Sequence, residues 1–168
     1  MRKSGLTLHQ IALFGVLGAL TFGAKVAMSG LPNIEPVSLM VMLFMAVFGW
    51  KGLYPVYLYV IMEVMLYGIN LWNVNYLYVW LILAAGAMAM RRLRHPVLWA
   101  LLSGVFGMAF GLLCSPVYMA IGGFRYGIRW WLAGIGFDIP HCIGNFAIAL
   151  ALFAPLRKLL EKLYARIQ

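Results

Sequence analysis

The segment Phe137-Asp-Ile-Pro-His-Cys-Ile-Gly-Asn-Phe146 opens an apolar run that ends in the basic segment Arg157–Arg166. Asp138, His141 and Asn145 stand at the start of a stretch that is otherwise apolar enough to cross a membrane. A charge at the centre of a membrane helix costs about 2.5–3.5 kcal/mol even on the lenient insertion scale. A chain keeps such groups when they face protein or a water-filled pocket, so the segment indicates a membrane protein that recognises a polar ligand between its helices.

The composition also places the chain in a membrane. Of its 168 residues, 65% are hydrophobic and only 10% are charged, whereas a soluble domain is typically about 45–50% apolar and about 25% charged. We read residues 1–168 as one membrane-embedded domain, and the apolar stretch 8–28 as a span, because it is too long for a signal peptide. Cys114 and Cys142 lack metal-ligand spacing, so we expect buried thiols, no metal site and no cofactor.

The basic residues predict the topology. Apolar segments can be drawn at six places, namely 8–28, 37–50, 53–71, 76–90, 96–115 and 137–155. If six spans alternate, ten of the thirteen Lys and Arg residues fall on one side: Arg2, Lys3, Lys51, Arg91, Arg92, Arg94, Arg157, Lys158, Lys162 and Arg166. Because cytoplasmic loops carry the excess of Lys and Arg, this pattern predicts an all-α protein with six spans and both termini cytoplasmic. The net charge of +9 is therefore a topology signal and does not indicate a nucleic-acid partner.

Two stretches fall outside the simple spans. The stretch from Cys114 to Gly136 contains Pro116 and several glycines, and we read it as a long irregular connection. The tail Arg157–Gln168 reads as an amphipathic helical extension that leaves the membrane.

Polar and aromatic residues gather in the outer halves of the spans. Tyr59, Glu63 and Tyr67 are four residues apart and share one helical stripe, and prolines constrain the loop that carries Asn33 and Glu35, which fits either a lid or a plain connector. The candidate substrate-binding residues are Asn33, Glu35, Tyr59, Glu63, Tyr67, Tyr76, Trp80, Arg125, Arg129, Asp138, His141 and Asn145. Among these, the two residues Tyr76 and Trp80 also fit an interfacial aromatic belt, and the two arginines also fit contacts with lipid headgroups.

Small residues form a ridge on the first span. Gly15, Ala19, Gly23 and Ala27 repeat every four residues, a spacing that lets another helix approach closely in lipid. Lys25 lies about 160° around the helix from Gly23 at about 100° per residue, so the ridge and this charge face different ways. Both intramolecular packing and a docking seam for a separate membrane subunit, formed by Gly15, Ala19 and Gly23, remain open.

Taken together, the chain resembles the substrate-binding S-component of an energy-coupling factor (ECF) transporter over almost its whole length. The resemblance rests on the ridge, the loop Leu31-Pro-Asn-Ile-Glu-Pro-Val-Ser38, Glu63, and Phe137–Phe146 leading into Pro155-Leu-Arg-Lys158. It implies a six-helix bundle in a bacterial plasma membrane that captures a vitamin or vitamin precursor from outside.

The resemblance also implies partners and a place for the pocket. An S-component joins a transmembrane coupling subunit and two cytoplasmic ATPase subunits, and its pocket lies near the outer face, mainly between spans 4 to 6, under loops that include the one after span 1. Gly15 and Ala19 match the family's small-xxx-small docking motif, with Gly in place of the more usual first Ala.

Other functions and several ligands stay open. The chain has no phosphate-binding loop of the ATPase type, so a partner must supply ATP energy. The alternatives are a stand-alone permease or channel, and an intramembrane enzyme with His141 and Glu63 or Asp138 as acid and base; we expect no enzyme, because the catalytic motifs are missing. Aromatics with both signs of charge favour a heteroaromatic ligand, which leaves cobalamin, a pyridoxine- or thiamin-like vitamin and a queuosine precursor.

Overall fold

The computed structural model describes residues 5–31 and 33–167, and these are mostly helical, with no strand among them. Arg2 and Lys3, which the topology prediction places on the cytoplasmic side, lie outside this part of the chain. The helices are α1 (Leu8–Ala27), α2 (Val37–Phe48), a 3₁₀-helix (Gly49–Gly52), α3 (Leu53–Tyr67), α4 (Leu71–Ala89), α5 (Pro96–Gly122) and α6 (Phe124–Ala165). The prediction of an all-α protein is confirmed.

Within the described residues, five helical segments are long and apolar enough to cross a membrane. They are α1, the continuous segment Val37–Tyr67, α4, α5 and α6. These segments are compatible with the predicted multi-pass membrane class. Nearly every residue of α2 is buried, which makes α2 the central helix, with α3, α4 and α6 packed around it.

The chain reverses direction between α2 and α3. Gly49 has a φ of +62°, a conformation that glycine adopts without steric cost. A Cβ on Gly52 would lie 2.6 Å from the carbonyl carbon and oxygen of Phe44, although eight residues of a straight helix rise about 12 Å. After this reversal, α3 runs alongside α1, where Gly18 lies against the side chain of Leu58. α2 and α3 are thus two arms that meet at the 3₁₀-helix.

The prediction of an irregular connection between Cys114 and Gly136 is wrong. α5 continues through Pro116 to Gly122, and α6 begins at Phe124, with only Gly123, at a φ of +83°, between them. Glycine and proline mark loops in water, but a helix in lipid tolerates them because neighbouring helices and local adjustments satisfy the freed backbone groups. α6 has 42 residues, so the polar residues of Phe137–Phe146 lie in its middle and not at its start.

Basic residues from distant parts of the sequence meet at one end of the bundle. Arg91 donates to the carbonyl oxygens of Ala46 and Val47 at the end of α2, at 3.2 and 3.3 Å. Arg157 donates to the carbonyl oxygens of Leu93 and Arg91, at 2.8 and 2.9 Å. These arginines donate to backbone carbonyls at helix ends and turns, and the carbonyl of Leu93 also accepts from Nε1 of Trp99 at 3.2 Å.

Candidate ligand-binding site

Two adjoining cavities lie at the other end of the bundle, toward which α1 and α3 run from the basic end. The first, here called the polar chamber, has a volume of about 430 Å³ and is lined by Lys25, Asn33, Glu35, Glu63, Tyr67, Asn70, Trp72, Asn73, Tyr76, Phe110 and His141. The second, the aromatic chamber, has a volume of about 410 Å³ and is lined by Asn33, Trp72, Phe110, Gly111, Trp130, Ala133, Gly134, Phe137, Asp138 and His141. Four residues border both chambers, so the two form one site of two compartments.

An ion pair between α1 and α3 lies in the polar chamber. The Nζ of Lys25 donates to Oε2 of Glu63 at 2.6 Å and to the hydroxyl of Tyr76 at 3.3 Å. The same ammonium lies 5.2–5.9 Å from the ring centroids of Tyr59, Tyr67 and Tyr76, a distance at which an aromatic face attracts a cation. The Glu63 side chain is only 5% exposed. Lys25 therefore offsets the cost of burying this carboxylate.

The loop between α1 and α2 covers the polar chamber. A Cβ on Gly144 of α6 would lie 3.1 Å from the side chain of Ile34, so the loop packs directly on that helix. Asn33 adopts a φ of +58°, a left-handed conformation in which asparagine is enriched. Glu35 follows, half-buried. Burial raises the pKa of the Glu35 carboxyl, Lys25 opposes that rise, and the nearby Glu63 adds to it.

A cluster of aromatic rings forms the wall of the aromatic chamber. The Trp72 ring on α4 stacks on Phe110 of α5 at a centroid distance of 6.5 Å and lies 6.0 Å from Trp130 of α6. Trp130 stacks in turn on Tyr118 at 3.8 Å, and Phe110 contacts the His141 ring edge-on at 4.9 Å. Flat rings held on three helices suit a planar ligand group, because aromatic pairs prefer stacked or edge-to-face contact.

Asp138 and His141 line this chamber and carry buried polar atoms. Oδ1 of Asp138 accepts a hydrogen bond of 3.1 Å from the backbone N–H of Gly111. Oδ2 of Asp138 and Nε2 of His141 have no hydrogen-bond partner among residues 5–31 and 33–167, although both residues are at least 95% buried. A buried polar atom without a partner costs about 1–3 kcal/mol. These two atoms, and Oε1 of Glu63 in the same condition, are suited to hydrogen bonds with a ligand.

The candidate residues from the sequence fall into three groups in the structure. Asn33, Glu35, Glu63, Tyr67, Tyr76, Asp138 and His141 line one chamber or both. Three others, Tyr59, Trp80 and Asn145, are buried but line neither chamber. Tyr59 and Trp80 pack on Tyr76, and Asn145 donates to the Ser38 hydroxyl at 3.0 Å. Arg125 and Arg129 are exposed near the start of α6 and line neither chamber.

Several lining residues were missing from the candidates. Lys25 of the first span lines the polar chamber but is not among these candidates, although a basic residue inside an apolar span is a signal for a functional site. Asn70 and Asn73 form a capping box at the start of α4, in which the backbone N–H of Asn70 donates to Oδ1 of Asn73 at 2.6 Å. Oδ1 of Asn70 also accepts from the backbone N–H of Trp72 at 2.9 Å. The three-residue spacing of the two asparagines is visible in the sequence. Trp72 and Phe110 carried no local signal, because apolar spans contain many aromatics.

Comparison with known proteins gives no relative: the chain matches no protein-family model, no curated protein and no solved structure. Within the described part of the chain, no three His, Cys, Asp or Glu side chains are grouped so that they would hold a metal ion.

Proposed function

We propose that this protein captures a small heteroaromatic micronutrient, a vitamin or vitamin precursor, at the outer face of a bacterial plasma membrane, for ATP-driven uptake by an ECF-type transporter. One observation carries the proposal: Glu63, Asp138 and His141 line two joined chambers inside an otherwise apolar helical bundle, and each has a buried polar atom with no partner among the described residues. Ligand pockets have this character, with apolar walls and a few polar groups that fix orientation.

The proposed topology has six spans and cytoplasmic termini. The reversal at Gly49–Gly52 supports counting α2 and α3 as separate crossings, although each is shorter than the roughly 20 residues of a perpendicular span. The clustering of Lys51, Arg91 and Arg157 at the end away from the chambers supports a cytoplasmic basic end. In this orientation the chambers open toward the outside.

The proposed partners are a transmembrane coupling subunit and two cytoplasmic ATPase subunits. The ridge on α1 supports a docking role for Gly15, Ala19 and Gly23, because it faces away from the bundle. A Cβ on Gly15 or Gly23 would meet no atom within 4 Å in the described chain, and Ala19 is exposed. By contrast, Gly18, on another face of α1, packs against Leu58.

Uptake experiments test the proposal. Purified protein should bind its ligand without nucleotide, and membrane vesicles should accumulate the ligand only when the coupling and ATPase subunits are present. Full uptake by this chain alone in ATPase-deficient vesicles would instead identify a stand-alone permease.

A variant pair tests the docking surface. Ala19→Leu should impair co-purification with the coupling subunit and leave ligand binding intact, because the larger side chain blocks close helix approach. Ala85→Leu, at an exposed position on α4, is the matched control. Equal complex formation by the two variants would refute docking at the ridge.

A further inference from the structure

The two chambers contain more acids than bases. Three carboxylates, Glu35, Glu63 and Asp138, line them, and Lys25 is the only Lys or Arg that does so within the described ranges. Lys25 is already engaged, because it donates to Glu63 at 2.6 Å. The other titratable groups on the lining are Tyr67, Tyr76 and His141, and none of them adds a permanent positive charge. The site therefore lacks a cation to balance two of its carboxylates.

Of the three unpartnered atoms on described chamber-lining residues, two are carboxylate oxygens. Oδ2 of Asp138 and Oε1 of Glu63 have no hydrogen-bond donor in residues 5–31 and 33–167, and an ionised carboxylate can only accept. Both side chains are at least 95% buried. Because isolated buried charges are costly, the natural complement is a ligand that brings N–H donors and positive charge.

The walls add a preference for a planar group. Trp72, Phe110 and Trp130 surround the aromatic chamber, and the rings of Tyr67 and Tyr76 border the polar one. The faces of these rings attract cations as well as flat rings. Lys25 already demonstrates such contacts, with its ammonium 5.2 Å from the centroid of Tyr76.

We propose that the ligand is a positively charged, amino-substituted planar heterocycle. Its ring lies in the aromatic chamber and donates an N–H to Oδ2 of Asp138, and its cationic group lies in the polar chamber near Glu35 and the free oxygen of Glu63. This assignment rests on the proposed function as a capture protein and narrows its substrate class. It disfavours ligands that bear carboxylates or phosphates, because Arg125 and Arg129 line neither chamber and Lys25 is paired.

Matched probe pairs test this ligand class by titration calorimetry on the purified protein. The pairs are thiamin and oxythiamin, pyridoxamine and pyridoxine, and 7-aminomethyl- and 7-cyano-7-deazaguanine; each differs by an amino group or a charge. Biotin and pantothenate serve as anionic probes. In the pair that binds, the amino or cationic member should bind about 10- to 100-fold more tightly, the size expected for one charge-assisted hydrogen bond. Tighter binding of an uncharged or anionic probe, or binding of no probe, overturns the assignment.

Variants identify the residues that cause the preference for the amino or cationic probe. Asp138→Asn should abolish the preference for thiamin over oxythiamin, which differ at a ring amino group, whereas Glu161→Gln, at the basic end of the bundle, should leave the preference within any pair unchanged. For the other two pairs, whose members differ at the cationic group, Glu35→Gln should reduce the preference. Lys25→Gln distinguishes a cationic from an anionic ligand. A cationic probe should keep or gain affinity, because Glu63 loses its ion-pair partner, whereas an anionic probe should lose its affinity. If Lys25→Gln does not fold, Glu35→Gln provides a second measurement. It should weaken the binding of the cationic member of a pair and leave the binding of the uncharged member unchanged.

The outcomes separate this assignment from the proposed function. Tight binding of an anionic probe together with ATP-dependent uptake would refute the cationic class and leave the transport role standing. Tight binding of a cationic probe without any dependence of uptake on the coupling subunit would support the cationic ligand class and refute the ECF-type transport role.

Discussion

Replacing Gly107 with alanine tests whether the close approach of α5 and α6 sets the geometry of the aromatic chamber. Gly104, Gly107 and Gly111 lie on the face of α5 that contacts α6, at spacings of three and four residues. A Cβ at Gly107 would lie 2.8 Å from the carbonyl oxygen of His141, whereas ordinary contact begins at 3.4 Å. The obstructing atom belongs to a helical backbone and cannot rotate away, so α6 has to move by about 0.6 Å, the difference between these distances.

This shift is large enough to measure. Overpacking of a close-packed interior costs about 1–3 kcal/mol, and each kcal/mol lowers Tm by about 2–4 °C in a protein of 150–250 residues. Ligand binding should also weaken, because site residues have to be held within about 0.5 Å of their productive positions. Asp138 and His141 lie on the segment of α6 that would move.

The assay compares thermal unfolding and probe binding of two variants in the same detergent. Gly136→Ala is the matched control, since Gly136 is also inside a helix and a Cβ there would meet nothing within 4 Å among the described residues. Its Tm should stay the same or rise, because alanine is favoured over glycine in helices by about 0.5–1 kcal/mol. If Gly107→Ala matches this control in both Tm and affinity, close packing does not set the chamber's geometry.

Two further substitutions address the loop and the basic end. Because burial raises the pKa of Glu35 above its usual value of 4.5, the folded protein holds a proton there more tightly than the unfolded chain, and stability falls as pH rises through the folded pKa. Glu35→Gln should therefore raise the Tm of the ligand-free protein at neutral pH, with the advantage disappearing toward pH 4.5; parallel pH profiles of Tm would contradict this. Arg157→Met should lower stability by about 2–4 kcal/mol through loss of charge-assisted hydrogen bonds to Leu93 and Arg91, whereas Arg92→Met, at an exposed position, should change the denaturation midpoint little.

Runs of apolar residues predicted much of the helical framework. The span drawn at 8–28 corresponds to α1 at Leu8–Ala27, and the stretch 53–71 contains α3 at Leu53–Tyr67. Charged residues mark the ends of these runs, as Lys51 does between α2 and α3. Both signals are local, because hydropathy and charge measure how a short segment divides between lipid and water. Such signals suffice for the existence of a helix.

The hairpin of α5 and α6 could not be predicted in this way. Pro116 and the glycines around it resemble loop punctuation when read locally. In the structure the glycines allow close contact between the two helices: a Cβ on Gly127 would overlap the side chain of Met119. The same residue type therefore marks a turn at Gly123 and a close helix contact four residues later, and only the partner helix distinguishes these two uses.

The site also combines information that is local in the sequence with contacts that only the fold provides. The sequence identifies Glu63 and Asp138 as costly in lipid, because that cost depends on the residue and its apolar neighbours. What offsets the cost comes from other helices: Lys25 of α1 for Glu63, at 2.6 Å, and the backbone N–H of Gly111 on α5 for Asp138, at 3.1 Å. Each carboxylate keeps one oxygen without a donor in the described chain. In the folded protein, one oxygen of each carboxylate thus has a donor from another helix and the other oxygen has none. The oxygen without a donor is what makes each of these two residues suited to bind a ligand.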